Sequence, residues 1–330
     1  TDRRPEVSDA TTEMMTKGYQ TRSPVLLVVF NRPDHTRQVL DRIRLTRPSR
    51  LYVAADGPRP GYPDDLHSCL EARGVALDVG WECETRTLFR DENLGCRRVV
   101  SAAISWFFEH EEEGIILEDD CVADPSFFRF CDELLERFRT DERVAQISGN
   151  NFQRGIRRTQ RSYYFSRYNH IWGWATWRRA WARYDSELSL LPAAFEEGLL
   201  KNIGDGHKPF MRGRRRELER TKSGQIDSWA YIWTFSSWTQ NMVSVIPEVN
   251  LVENIGFDAS ATHTRRKRGR ASLPSANQIS FPLRHPMFVI RDYAADRYSH
   301  RKYGYYPYPI DVIRRAFRLL KRHLPLLPLS

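Results

Sequence analysis

Apolar and polar positions fall in blocks along the first half of the chain. Residues 25–30 form a continuous apolar run of strand length that stops at Asn31-Arg32-Pro33-Asp34. Val39, Leu40 and Ile43 then recur at helical spacing, with Asp34 suited to cap the start. Residues 51–55 are a second short apolar run, closed by Asp56-Gly57-Pro58. Residues 64–73 have a helical pattern, and 85–89 alternate as a strand does. Asn93-Leu94-Gly95 opens a helix reaching about His110, with Val99, Val100, Ala103, Ile104 and Phe107 on its inner face. Residues 115–117 are apolar and run straight into Glu118-Asp119-Asp120. A helix over 125–139 leads to a strand at 144–147. Strands alternating with amphipathic helices predict an α/β fold, a mostly parallel central sheet flanked by helices. In such sheets ligands sit beyond the carboxyl ends of the strands. The polar groups after each apolar run fall on that edge.

The second half has a different texture. Residues 162–184 are crowded with Tyr and Trp, 208–222 are basic with a helical pattern, 226–240 read as an aromatic-rich helix, and 243–246 as a strand. Trp174, Trp177 and Trp181 are spaced as a buried helical stripe. The alternative sets Trp172 or Trp174 beneath a sugar, because sugars stack their apolar faces on aromatic rings. Residues 265–270 form a basic loop. From Pro309 onward, Ile313, Ala316, Phe317, Leu320 and Leu324 oppose Arg314, Arg315, Arg318, Lys321 and Arg322. That basic amphipathic helix suits an anionic membrane surface, or docking on the protein's own body.

Composition narrows the partners. Of 330 residues, 41% are hydrophobic and 12% aromatic, values of a packed globular protein. A formal charge of +9 predicts an anionic partner, which nucleic acid, an anionic membrane or a sugar nucleotide would each satisfy. Five cysteines without a Cys-x-x-Cys pair or zinc spacing predict reduced thiols in a cytoplasmic protein. No window approaches the ~20 apolar residues of a membrane span. Residues 1–23 lack the apolar core of a secretory signal and read as a flexible leader.

Three consecutive acids after an apolar strand are the sharpest chemical signal. Adjacent like charges repel, and a hard divalent cation removes that repulsion. Mg²⁺ or Mn²⁺ takes one or two carboxylates plus phosphates and waters, so a metal–diphosphate site needs few protein ligands. The competing explanation is a solvated acidic turn ahead of a helix that Asp124-Pro125 begins.

The segment from Ile116 through Glu118-Asp119-Asp120 to Phe128 resembles the Asp-x-Asp region of the GT-A glycosyltransferases, closest to the Glu-Asp-Asp form of the N-acetylglucosaminyltransferase I family. Further segments resemble bacterial family-2-like transferases often labelled hemolytic-protein-like: Val29-Phe30-Asn31-Arg32-Pro33, Ala55-Asp56-Gly57-Pro58-Arg59, Trp172-Gly173-Trp174-Ala175-Thr176-Trp177, Asn250 to Phe257, and Ala261-Thr262-His263-Thr264. The resemblance covers about 24–264 and implies an inverting sugar transfer from a nucleoside diphosphate, uridine above all, assisted by Mn²⁺ or Mg²⁺. It implies Asp120 and His263 as metal ligands, Asp119 near the donor sugar or ribose, and Glu118 behind the metal or on the sugar. Phe30, Asn31 and Arg32 would line the nucleotide pocket. Asp56 would accept from the base, unless it is an ordinary Asp-Gly turn. Arg90 and Asn93, before a helix start, would contact phosphate or else cap the helix. Asp227 is the candidate general base, with a helix N-cap as its alternative. Asn150 and Asn151 are candidate partners of acceptor hydroxyls, beside Trp172 and Trp174.

The resulting division is a leader (1–23), a nucleotide-sugar subdomain (24–150), an acceptor and catalytic subdomain (151–264), a basic extension (265–308) and the amphipathic helix (309–330). The acceptor would be a glycan or a lipid-linked sugar, used in the cytoplasm or at the inner face of the membrane, and no nucleic acid is expected. A metal-dependent phosphohydrolase or nucleotidyltransferase shares the carboxylate–metal–phosphate core. A basic nucleic-acid-binding protein would account for residues 265–270 but not for the acids.

Overall fold

The computed structural model describes residues 18–256 and 274–302. Strands β1 (Val25–Val29), β2 (Arg50–Ala55) and β3 (Glu84–Phe89) are joined by helices α1 (Pro33–Thr46) and α2 (Pro63–Leu77). Helix α3 (Cys96–His110) returns the chain to β4 (Glu113–Glu118), and β5 (Cys121–Ala123) and α4 (Pro125–Arg137) lead to β6 (Val144–Ser148). Then come β7 (Tyr163–Ser166), β8 (Trp174–Trp177) and the short helices α5 (Arg178–Trp181), α6 (Leu191–Glu196) and α7 (Leu199–Ile203). Helices α8 (Lys208–Lys222) and α9 (Trp229–Thr239), strands β9 (Val243–Pro247) and β10 (Val252–Asn254), and α10 (Tyr293–Lys302) follow.

Eight strands form one sheet in the order β3-β2-β1-β4-β8-β6-β9-β7. β1, β2, β3, β4, β6 and β9 run one way, whereas β7 and β8 run the other. The expected mostly parallel α/β sheet is therefore present. β1 and the apolar part of β4 are buried without alternation, as strands covered on both faces must be. α1 packs against α2 and α4, while α3 packs against α9. The chain steps outward from β1 to β3 and then comes back to place β4 on the other side of β1. The order reverses between β1 and β4, so their carboxyl ends flank a crevice.

Several expectations change on inspection. Asp34 does not cap α1; Pro33 opens the helix behind Arg32, where its missing N–H leaves no orphan donor. The tryptophans at 174 and 177 lie on a strand, because their segment pairs with both β4 and β6. β8 enters the sheet between β4 and β6, so the halves divided at residue 150 share one sheet. Within the proposed leader, residues 18–23 are tied down. Buried Asp132 of α4 accepts from Tyr19 Oη (2.6 Å), Arg22 N (2.8 Å) and Ser23 N (3.0 Å). Residues 257–273 and 303–330, which include His263, the basic loop and the amphipathic tail, lie outside the described residues, as do 1–17. Among the described residues no helix is long and apolar enough to cross a membrane.

The core is built from aromatic rings, some of whose polar handles find acceptors while Trp174 Nε1 does not. Trp174 stacks on Trp229 (centroids 5.6 Å, 20° between planes), with Trp233 and Trp181 around them. Trp233 Nε1 donates to Gln146 Oε1 and Trp177 Nε1 to the Leu135 carbonyl. A second core joins Leu191, Leu200, Phe210, Phe235 and Trp238. Buried His300 leans over the Phe210 ring nearby.

Removing the Asp132 carboxylate strands two backbone donors and a phenol. Asp132→Ala is expected to lower stability by about 3 kcal/mol in urea denaturation. A second test concerns His300, which burial pushes down to about 4. An unfolded histidine takes up its proton near pH 6.5. Between those values the unfolded chain binds more protons, so stability falls as the pH drops through that window. His300→Phe keeps the ring and should recover about 2 kcal/mol of the acid loss, compared at about pH 7 and pH 4.5.

Candidate active site at the switch point of the sheet

β1 and β4 pair in parallel up to Val28 and Glu118, so the chain beyond both strands enters the crevice together. From β1 come Phe30 and Arg32; from β4 come Glu118, Asp119 and Asp120, in the turn before β5. β5 pairs antiparallel with β10, setting Asn254 opposite Cys121. Asn254 Nδ2 thereby donates to Asp120 Oδ1 at 3.0 Å. A cavity of about 800 Å³ opens over this point, and Asp227, Tyr231 and Trp172 also line it.

The acids are held by a guanidinium. Arg32 Nη2 pairs with Asp119 Oδ1, its Nε donates to Asp119 Oδ2 (3.3 Å), and its Nη1 lies 3.1 Å from Asp120 Oδ2. Phe30 N also donates to Asp119. The expectation that only a divalent ion could relieve this cluster is corrected: a fixed side-chain cation relieves part of it. One guanidinium meets two aspartates, and Glu118 beside them resists ionising. Burial, with the Asp120 and Asp119 charges beside it, pushes Glu118 up to about 8. A surplus of negative charge on hard oxygen donors fits Mg²⁺ or Mn²⁺ that brings phosphate as its remaining ligands. Among the described residues no three His, Cys, Asp or Glu side chains converge to hold a metal unaided. The set thus suits only a cation that brings further ligands of its own.

Asp227 is not the N-cap of its own helix, because α9 begins at Trp229 behind Ser228. Its carboxylate instead reaches the start of α3. Oδ2 accepts from Cys96 N (2.8 Å) and Oδ1 from Arg97 N (3.0 Å). Gly95 makes this approach feasible. Its φ is +80°, and a β-carbon there would meet Asp227 Oδ2 at 2.7 Å. Gly256 plays the same part across the cavity, where a β-carbon would run into Asp120 Oδ2.

Asp56 turns out to be a saturated turn former. Oδ1 accepts from Gly57 N and Leu94 N, and Oδ2 from Gly95 N and Asn93 Nδ2. Four donors use up its lone pairs, which leaves nothing to accept from a base. Asn93 is spent on the same turn, giving its amide to Asp56 and to the Gly57 carbonyl. Arg90 is not among the cavity's lining residues, and Asn31 donates to Asp65. Asn150 and Asn151 are buried brackets: the former donates to the Val252 carbonyl and accepts from Trp172 N, the latter donates to the Pro247 and Glu248 carbonyls. Trp174 is core, 1% exposed. Of the two acceptor-side tryptophans, Trp172 lines the cavity and Trp174 does not.

Two contributors were not singled out beforehand. Arg59 pairs with Asp65 through Nε and Nη2 (2.6 and 2.8 Å) and sits over the Phe30 and Tyr62 rings, at the cavity wall. Its signal was its place after Asp56-Gly57-Pro58, at a strand exit. Asn254 had no local signal, because only the β5–β10 pairing delivers it. A second cleft, about 700 Å³ at the amino ends of the strands, is lined by charges already paired with one another, such as Arg50 with Glu111 and Arg139 with Glu113.

No family model matches the sequence, and no curated protein matches it. The fold overlaps the inositol-1-phosphate CTP transferase from T. maritima over 51% of this chain and 76% of that one, at 10% identity and a TM-score of 0.30. It overlaps a UDP-glucose pyrophosphorylase complexed with UDP-glucose over 44% and 62%, at 8% identity and a TM-score of 0.25. Overlap this partial says nothing of substrate, so the chemistry has to come from the residues.

Asp56→Ala should act through folding, costing about 3 kcal/mol in urea denaturation, with Asp56→Asn between it and the parent. A loss of nucleotide affinity at unchanged stability would contradict its role as a turn former.

Proposed function

We propose that the chain is a GT-A-type glycosyltransferase that moves a sugar from a nucleoside diphosphate to an acceptor hydroxyl with inversion. The observation that carries this reading is the cluster of carboxylates at the β1–β4 crevice, which lines one cavity together with Asp227. An unbalanced acid cluster is a poor place for a polyanion, unless the anion comes with its cation.

The chain's own residues then divide the work. Arg59 and Phe30 form the wall against which the nucleotide lies, Arg59 Nη1, outside the pair with Asp65, supplying a donor. Arg32 keeps Asp119 in place from below. A bound Mn²⁺ or Mg²⁺, held by Asp120 and the donor's phosphates, would supply charge neutralisation for the leaving diphosphate. Asp227 takes the acceptor's proton. Its two backbone N–H bonds fix the carboxylate's direction, and each oxygen keeps a lone pair for the incoming hydroxyl. Trp172, edge-on to Phe152 at 5.0 Å, offers its remaining surface to an acceptor sugar. Proton removal and departure of the diphosphate occur on opposite sides of the anomeric carbon, which is the geometry of inversion.

Thermal melting with uridine, cytidine and guanosine diphosphate sugars, with and without Mn²⁺, tests the donor half. At least one donor should raise Tm by about 5 °C in the presence of Mn²⁺, and Asp120→Ala should abolish that rise. An equal rise in Asp120→Ala removes the carboxylate from the site. Asp227→Asn should keep the donor's stabilisation and lose transfer about 1,000-fold. Products separate the chemistry: transfer releases an intact nucleoside diphosphate, whereas cleavage at phosphorus would assign the site to a phosphohydrolase or nucleotidyltransferase.

A further inference from the structure

The sheet ends at edge strand β7, and residues 284–292 run beside it. Ser162 N donates to the Arg284 carbonyl (2.9 Å) at one end, and Asp292 N to the Phe165 carbonyl (2.7 Å) at the other, where Phe165 bridges Arg291 in parallel. These anchors, Phe165 on β7 and Ser162 just before it, are roughly 10 Å apart in extended chain. The covering segment uses more than twice as many residues between Arg284 and Arg291, and its surplus has to leave the surface. Met287, Phe288 and Ile290 stand on the projecting part, 81%, 66% and 69% exposed. Val289 between them turns back onto the core. Half-exposed Tyr293 opens α10, and exposed Arg297 lies one helical turn further on the same face.

Single exposed apolar side chains are ordinary, but three within four residues on a projection are a concentrated patch. We propose that this tip inserts into the surface of an anionic lipid bilayer. The charges fit, because exposed Arg297 lies below one foot of the loop and Arg284, half-exposed and 3.9 Å from Glu248, stands at the other, in a chain of net charge +9. The sequence continues the theme: within seven residues of the end of α10 begins the stretch 309–330, with Arg314, Arg315, Arg318, Lys321 and Arg322 among apolar residues. A second copy is the weaker occupant. Three side chains on a convex tip, met by three more, bury far less than the ~1,200 Å² of a specific dimer.

The full chain is pelleted with vesicles of phosphatidylcholine alone or with about 30% phosphatidylglycerol. The parent should co-sediment with the anionic vesicles and bind zwitterionic ones roughly tenfold less. The triple variant Met287→Ser, Phe288→Ser, Ile290→Ser should lose anionic-vesicle binding by at least about tenfold, with Tm and sedimentation coefficient unchanged. A parent that stays in the supernatant overturns the proposal, and so does a variant that binds as the parent does. A parent dimer that the variant dissociates also overturns it, assigning the tip to a second copy. None of these readouts depends on the donor chemistry.

Discussion

The ion pair of Arg32 with Asp119 and Asp120 is the constraint around which the site is arranged. Two parallel strands end side by side, and the residues beyond them must share one crevice. β4 delivers three carboxylates there, into surroundings that screen charge poorly. β1 delivers one guanidinium, three positions past its last strand residue. Its fork reaches both aspartates because α1 begins at once, with Pro33 holding Arg32 at the helix entrance. The compensation is partial by construction. Arg32 meets two aspartates with one charge, and burial together with the negative charge left over holds Glu118 above the usual carboxylate range.

Asp227 shows how one carboxylate can serve structure and chemistry together. The first N–H groups of α3 need an acceptor, and the macrodipole favours a negative one. Gly95 cannot supply it, so the acceptor comes from a segment remote in sequence, just before α9. This locks α9 to α3, helices that pack on one another, and points a carboxylate into the cavity. The aromatic helix accordingly starts at Trp229 instead of Ile226, behind the extended Ser228.

Legibility in the sequence followed the range of the interactions. β1, β2, β4 and β6 were readable because a strand buried on both faces is a plain apolar run. The helices from Pro33, Cys96, Pro125 and Lys208 were readable because their stripes have period 3.6. β8 was not, since tryptophans at 174, 177 and 181 mimic a helical stripe and only pairing with β4 and β6 decides otherwise. The acids were legible as a site because their position at a strand end is local information. The partners of Asp56, Asn93, Asn150 and Asn151 were not legible for the opposite reason. A polar residue beyond a strand looks the same whether it faces a ligand or a backbone, and the donors that saturate Asp56 lie on a loop almost forty residues away.

Those buried amides also explain why the site holds its shape. Asn250 Nδ2 donates to the Val252, Pro274 and Ser275 carbonyls, while its Oδ1 accepts from Asn151 N. Asn150 reaches the same Val252 carbonyl. Together they fix the approach of β10 to β5, and β10 in turn brings Asn254 against Asp120 and Gly256 beneath it. Asp120 therefore has one oxygen on a rigid amide and the other on Arg32, a long side chain able to move. A ligand competing for Asp120 meets resistance from the second oxygen only. The asymmetry selects which bond opens: Oδ2 can exchange its guanidinium for another cation while the asparagine ladder keeps the carboxylate where it is.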